Sequence, residues 1–244
     1  MFQKARELFP LLVLNHGYID PEIYTNGRGL RREQDYLARR GYVVMHIDYR
    51  NHAESDKDPQ NDLELRLGYA EDAINAVLAV KNSGLDFIDA EKVGMLGHSM
   101  GGGVTLNAMV IRPEIVSAAV LFAPVSGDQR KNFDEWVRER TDLAAMILDH
   151  YGTFDEDPEF WDNASAKSFY DRFTAPVQIH HGTEDESVPL AWSEELQADL
   201  QTAGRDSALY VYDGEPHEFI GDWPLVMQRT VEFFDQYVKG KVND

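Results

Sequence analysis

Short runs that are apolar at every position alternate along this chain with longer stretches whose apolar residues recur every three to four positions. The continuous runs are Leu11–Leu14, Val43–Ile47, Val93–Leu96, Ala118–Phe122, Val177–Ile179 and Leu209–Tyr212, with the length and composition of strands. Helical spacing marks Leu30–Arg40, Leu67–Ser83, Met100–Arg112, Leu190–Ala203 and Pro224–Val238. The second of these, "GYAEDAINAVLAVKNSG", closes on Gly84, a common helix stop. Strand and helix in alternation predict βαβ units, and hence an α/β protein with a mostly parallel sheet of about six strands and helices on both faces. Strands apolar on successive residues fit burial on both sides of that sheet.

One segment breaks the rhythm. From Pro124 to Pro176 roughly fifty residues pass without a strand, rich in aromatics and charges, which is longer than an ordinary loop. Two or three short helices, a cap-like insertion over one end of the sheet, are expected there. The 244 residues are otherwise expected to form a single domain. The chain lacks cysteine, which excludes disulfides, thiolate metal sites and a cysteine nucleophile, and fits a cytoplasmic location. No apolar run approaches the ~20 residues of a membrane span. Acidic residues number 43 against 23 basic ones, a formal charge of −20 that repels phosphates and anionic lipid. Neither nucleic acid nor a membrane is therefore an expected partner.

Candidate chemistry centres on "GHSMG", Gly97 to Gly101. A G-x-S-x-G sequence between a predicted strand and a predicted helix is the context of a nucleophile elbow, which exposes Ser99 at a strand's C-terminal end. A serine hydroxyl needs a base, and the base needs an orienting acid. Downstream, "PVQIHHGTEDESVPL" puts Asp185 just after a strand, and "LYVYDGEPHEF" puts His217 just after the last one. Both fall at the sheet edge that carries Ser99, in the chain order Ser, Asp, His. Glu184 and Glu186 flank Asp185 as weaker candidates for the acid. His180, His181 and His150 are expected to pack or lie on the surface, and His98 to fill the elbow. The oxyanion hole is assigned to the backbone N–H groups of Met100 and Tyr18, the latter in the H-G-Y turn after the first strand, where His16 braces the loop. Metal-ligand spacings such as H-E-x-x-H are absent from the sequence, so no metal is expected.

These motifs resemble an α/β-hydrolase from Pro10 onward, and more narrowly the catalytic domain of the prolyl oligopeptidase group. The narrower resemblance rests on "GHSMGG", "APVQIHHGTEDESVP", "YDGEPHEF" and "DPEFWDNASAKSFYDRF". It implies a Ser–His–Asp triad acting on esters or peptides without a cofactor. "IDYRNHAESD" is similar to a loop where the superfamily carries two glycines, here replaced by Asn51 and Ala53, and a different loop path is expected. The family's peptidases also carry an N-terminal β-propeller, and the superfamily two leading antiparallel strands; neither is expected here. Val43–Ile47 should then be an edge strand, with the N-terminal residues lying over it or a homodimer formed there.

The expected function is hydrolysis of carboxylic esters with short to medium acyl chains, through an acyl-enzyme on Ser99. Insertion residues Trp136, Met146, Tyr151, Phe154 and Trp161 are candidates either for the pocket, with Tyr18, or for a small core of the insertion's own; Tyr18, Tyr151 and Trp161 are the chosen substrate contacts. Arg50, Arg130 and Arg172 are candidate anchors for a peptide carboxylate. The alternatives are a small-peptide or aminoacyl hydrolase using the same triad and a catalytically silent binding relative.

Overall fold

The computed structural model describes residues 8–240. Six strands form one sheet: β1 (Phe9–Asn15), β2 (Val43–His46), β3 (Ile88–His98), β4 (Ala118–Phe122), β5 (Val177–Gly182) and β6 (Ser207–Tyr212). Their spatial order is β2-β1-β3-β4-β5-β6 and every neighbouring pair is parallel. Parallel strands need crossovers, and these are supplied by α1 (Arg31–Ala38), α2 (Gly68–Asn82), α3 (Met100–Ile111) and α7 (Leu190–Thr202), with α8 (Trp223–Tyr237) following β6. This is the α/β-hydrolase architecture. β3 is longer than its apolar run because Ile88 and Asp89 pair with Phe9 and Pro10 before a register shift.

The two-residue period of a strand explains why β1 reads as unbroken apolar sequence. Leu11 and Val13 face the layer built by α2, α3 and α7, whereas Leu12 and Leu14 face Leu37 of α1 and Val226, Met227 and Phe234 of α8. All four β1 side chains are fully buried. β2 lies at the sheet edge, as expected, and its four residues are only partly buried. The expected N-terminal cover over that edge falls on residues 1–7, outside the described residues.

The insertion between β4 and β5 folds into α4 (Gln129–Trp136), α5 (Thr141–Tyr151), α6 (Pro158–Asn163) and a 3₁₀ helix at Ala166–Arg172. It has its own apolar centre, in which Phe133, Ala144, Ile147 and Trp161 are buried. Asp128 and Asp157 start α4 and α6 by accepting from the N–H groups of Arg130 and Phe160 at 3.0 and 2.9 Å. In the loop after β2, Asn51 and Ala53 have φ of 70° and 44°. Both thus hold the left-handed backbone that glycine adopts freely. Asn51 secures it by accepting from Asp58 N–H at 2.7 Å and donating to Asp58 O at 2.8 Å. Among the described residues no helix is long and apolar enough to cross a membrane.

Candidate active site

Ser99 stands between β3 and α3 with φ 56° and ψ −122°, a conformation that costs an L-residue energy and tends to persist only at sites held by their surroundings. Here the surroundings are close. A Cβ on Gly97 would lie 2.3 Å from Gly101 O, and one on Gly101 would lie 1.9 Å from Asn15 O. The glycines of G-x-S-x-G are therefore required by backbone contact with the elbow and with the end of β1. Ser99 N–H donates to Phe122 O at 2.8 Å, which pins the turn to β4. Met100 opens α3, where the first N–H groups have no acceptor within the helix.

The loops after β5 and β6 bring Asp185 and His217 together. His217 Nδ1–H donates to Asp185 Oδ2 at 2.7 Å, while Oδ1 accepts from the N–H groups of Ser187 and Val188, both at 2.8 Å. Burial opposes ionisation of this carboxyl. Hydrogen bonds from His181, His217, Val188 and Ser187 outweigh that cost and hold it far below the ordinary carboxylate range. Glu186 reaches only the backbone of His217, accepting from its N–H at 3.2 Å. The loop carrying His217 is shaped by Glu215, whose carboxylate accepts from the N–H groups of Gly221 and Asp222, each at 2.9 Å.

Three further histidines surround this arrangement. His181, expected to be a packing residue, is buried but also lies 3.2 Å from Asp185 Oδ2 through Nε2. Ser193 Oγ lies 2.7 Å from its Nδ1, so donation from that hydroxyl leaves the ring proton on Nε2, which lies 3.0 Å from Val188 O as well as facing the carboxylate. His98 fills the elbow beside His217, with ring centres 4.5 Å apart. Burial, reinforced by the neighbouring His217, lowers its pKa to about 3. His16 lies under the H-G-Y turn, stacked on Tyr49 at 4.4 Å and donating from Nδ1 to Gly17 O at 2.7 Å. Its pKa is likewise lowered to about 3, chiefly by burial. It braces the turn, as its position in the sequence suggested.

A cavity of about 790 Å³ opens over Ser99 and His217, and Tyr18 and Met100 also line it. The insertion contributes Phe133, Trp136, Val137 and Leu143 to its wall. Two of the chosen contacts lie elsewhere. Trp161 is fully buried in the insertion's own core, where its Nε1 donates to Gly152 O at 3.2 Å. Tyr151 stacks on Phe160 at 4.0 Å and packs against that same core. Phe154 joins them there, and Met146 is 57% exposed. Short helices folded on one another bury some aromatics among themselves, and those never reach the cavity.

The arginines expected as anchors are also engaged away from the cavity. Arg50 is held by Asp58, Glu71 and Asp72 at 3.1, 3.1 and 2.8 Å. Arg130 binds Asp162 at 2.8 Å, and Arg172 lies over the Phe169 ring at 4.1 Å. Among the described residues, the arginines that do line the cavity are Arg66 and Arg140. Nothing in the local sequence marks them. Among the described residues there is no cluster of three or more His, Cys, Asp or Glu that could hold a metal ion.

The fold and this arrangement point to one class of protein, and comparison with known proteins agrees. The sequence profile of the prolyl oligopeptidase family matches residues 28–241, and the chain belongs to that family, as an α/β-hydrolase catalytic domain. Mouse (Mus musculus) dipeptidyl peptidase 8 is 28% identical over 186 residues, spanning 74% of this chain and 20% of the mouse protein. The "Probable isoprenylcysteine alpha-carbonyl methylesterase ICME" of Oryza sativa subsp. japonica is 27% identical over 195 residues, spanning 74% of this chain and 45% of the rice protein. The chain thus spans less than half the length of either. Among solved structures, an acylaminoacyl peptidase in complex with Z-Gly-Gly-Phe-chloromethyl ketone superposes with a TM-score of 0.77 at 21% identity. That superposition covers 100% of this chain and 39% of the peptidase chain.

Proposed function

We propose that the protein is a serine hydrolase that cleaves short peptides or aminoacyl amides through an acyl-enzyme. The observation that carries this reading is the 2.7 Å Asp185–His217 pair, whose imidazole lines one cavity with Ser99, in a chain of the prolyl oligopeptidase family. His217 Nε2 takes the Ser99 proton as Oγ attacks the substrate carbonyl. Asp185 keeps the other ring proton on Nδ1 and stabilises the charged imidazolium. The N–H groups of Tyr18 and Met100 bind the oxygen that becomes negative, a contribution of about 10²–10³ per donor in rate. The imidazolium then protonates the leaving nitrogen, the amine departs, and a water deprotonated by His217 releases the acid. The cavity's volume suits a substrate of one or two residues.

The family and the dipeptidyl peptidase relative favour amides over the carboxylic esters expected from sequence. The methylesterase relative supports ester hydrolysis as the second reading, since the same groups serve an ester with an easier leaving group. Steady-state kcat/KM for aminoacyl p-nitroanilides and for short p-nitrophenyl esters separates the two. Turnover of an anilide that disappears in Ser99→Ala is expected. Turnover of esters with no anilide hydrolysis above background would transfer the assignment to the esterase reading. Failure of both, together with no labelling of Ser99 by a fluorophosphonate, would leave a binding protein.

A further inference from the structure

We propose that Arg66 and Arg140 form an anion-recognising subsite in this cavity, so that the preferred substrate carries a carboxylate on its acyl portion. The proposal rests on the serine hydrolase reading for its account of which end of the substrate is the acyl end. Arg66 comes from the loop before α2 and Arg140 from the residue preceding α5, and both line the cavity that contains Ser99. They share one carboxylate. Asp62 Oδ1 accepts from Arg66 Nε at 2.7 Å, and Asp62 Oδ2 accepts from Arg140 Nη2 at 3.0 Å. Two guanidinium groups against one carboxylate leave a net positive charge on this wall. Asp62 takes Arg66 by Nε, and a guanidinium carries five N–H donors in a planar fork suited to a second carboxylate.

Position places this charge on the cavity wall beside Tyr18. Arg66 Cζ lies 4.8 Å from the centre of the Tyr18 ring, and Tyr18 is the residue whose N–H is assigned to the oxyanion. The backbone that carries Arg66 is held in an unfavourable state. Leu65 and Arg66 are consecutive non-glycine residues with φ of 54° and 57°, and such strain concentrates where a side chain is aimed at a ligand. Arg66 N–H donates to Asn61 O at 2.8 Å and so closes this turn. Arg50, by contrast, is surrounded by three carboxylates and serves its own loop.

The remaining charges on the wall determine which part of the substrate is anionic. Glu186 and Glu218 line the cavity with His217, and Glu186 accepts from His217 N–H. The leaving group must stand against His217 to be protonated, so two carboxylates disfavour an anion on that side. With the leaving group assigned to that side, the arginine-lined wall is left to the acyl portion and attracts an anion there. In a chain of formal charge −20 an anionic substrate is otherwise repelled, which gives a local cationic wall a specific use.

The test uses a matched pair, N-succinyl-alanine p-nitroanilide and its neutral N-succinamoyl counterpart, which differ by a carboxylate against an amide. Titration calorimetry on Ser99→Ala protein reads binding without turnover. The succinyl compound is expected to bind roughly 10–100-fold more tightly, the range for a hydrogen-bonded charge pair. The ratio should shrink as salt rises from 50 to 500 mM (about a threefold shorter screening length). Arg66→Met and Arg140→Met, each in the Ser99→Ala background, should bring the ratio towards one, and Arg66→Lys should retain part of it. Equal binding of the two compounds, or a ratio unaffected by salt and by both Met variants, overturns the subsite. If Arg66→Met does not fold, Arg140→Met and the salt series decide. Turnover of the pair by the unsubstituted protein reports separately on the hydrolase reading: tighter succinyl binding without turnover supports the subsite and sinks the amide hydrolase.

Discussion

Replacing Asp185 by asparagine isolates the contribution of one buried charge, because the carboxylate's four partners constrain how an amide can sit. Oδ1 accepts from two backbone N–H groups, and Oδ2 faces Nδ1 of His217 and Nε2 of His181. An amide oxygen must take the Oδ1 position, since an NH₂ there would confront two donors. The NH₂ then faces both imidazoles and needs acceptors. His217 can comply only by moving its proton to Nε2, the nitrogen that must accept from Ser99. The expected fall in kcat is about 10⁴, by the logic of the same substitution in a serine protease, or roughly 5 kcal/mol of transition-state stabilisation. The charge-assisted bond from His217 is weakened as well, costing about 1.5–3 kcal/mol of folding stability. Single-turnover kinetics would read the first effect and urea denaturation the second. An Asp185→Asn protein that keeps more than a tenth of its kcat would refute the reasoning, as would greater damage from Glu186→Gln.

Ser99→Ala should fold normally, lose fluorophosphonate labelling and lower kcat by roughly 10³–10⁶; retained activity above a tenth would remove Ser99 from the role of nucleophile. His16, His98 and His180 are held near pKa 3, each mainly by burial. Below pH 6.5 the unfolded chain therefore binds protons that the native one does not, so stability is greatest above that pH. It should fall by about 1.4 kcal/mol per pH unit for each histidine as the solution is acidified. Urea midpoints at pH 7 and pH 5 that coincide would contradict this. Trp161→Ala should cost about 3–5 kcal/mol through the cavity left in the insertion's core. A change confined to KM, with the urea midpoint unaltered, would return Trp161 to the substrate wall.

The periodicity of the chain determined the α/β class, the six strands and most of the helices, because a strand buried on both faces and a helix buried on one leave different local signatures. The elbow was equally legible. A glycine on each side of Ser99 is a short-range demand of backbone contact, and Asp185 and His217 lie three and five residues past the C-terminal ends of β5 and β6. Tertiary structure alone decided what lies across from what. Trp161 and Tyr151 were indistinguishable in sequence from cavity residues, because an aromatic in a helix of six residues or at the end of one of eleven is not assigned by periodicity to a unique buried face. His181 reads as one more strand residue until β5 and the following loop fold it against Asp185. Arg66 and Arg140 meet through Asp62 only because the insertion packs against the loop before α2. Charge pairing at such sequence separation leaves no periodic trace, since it depends on where two independently folded segments come to rest.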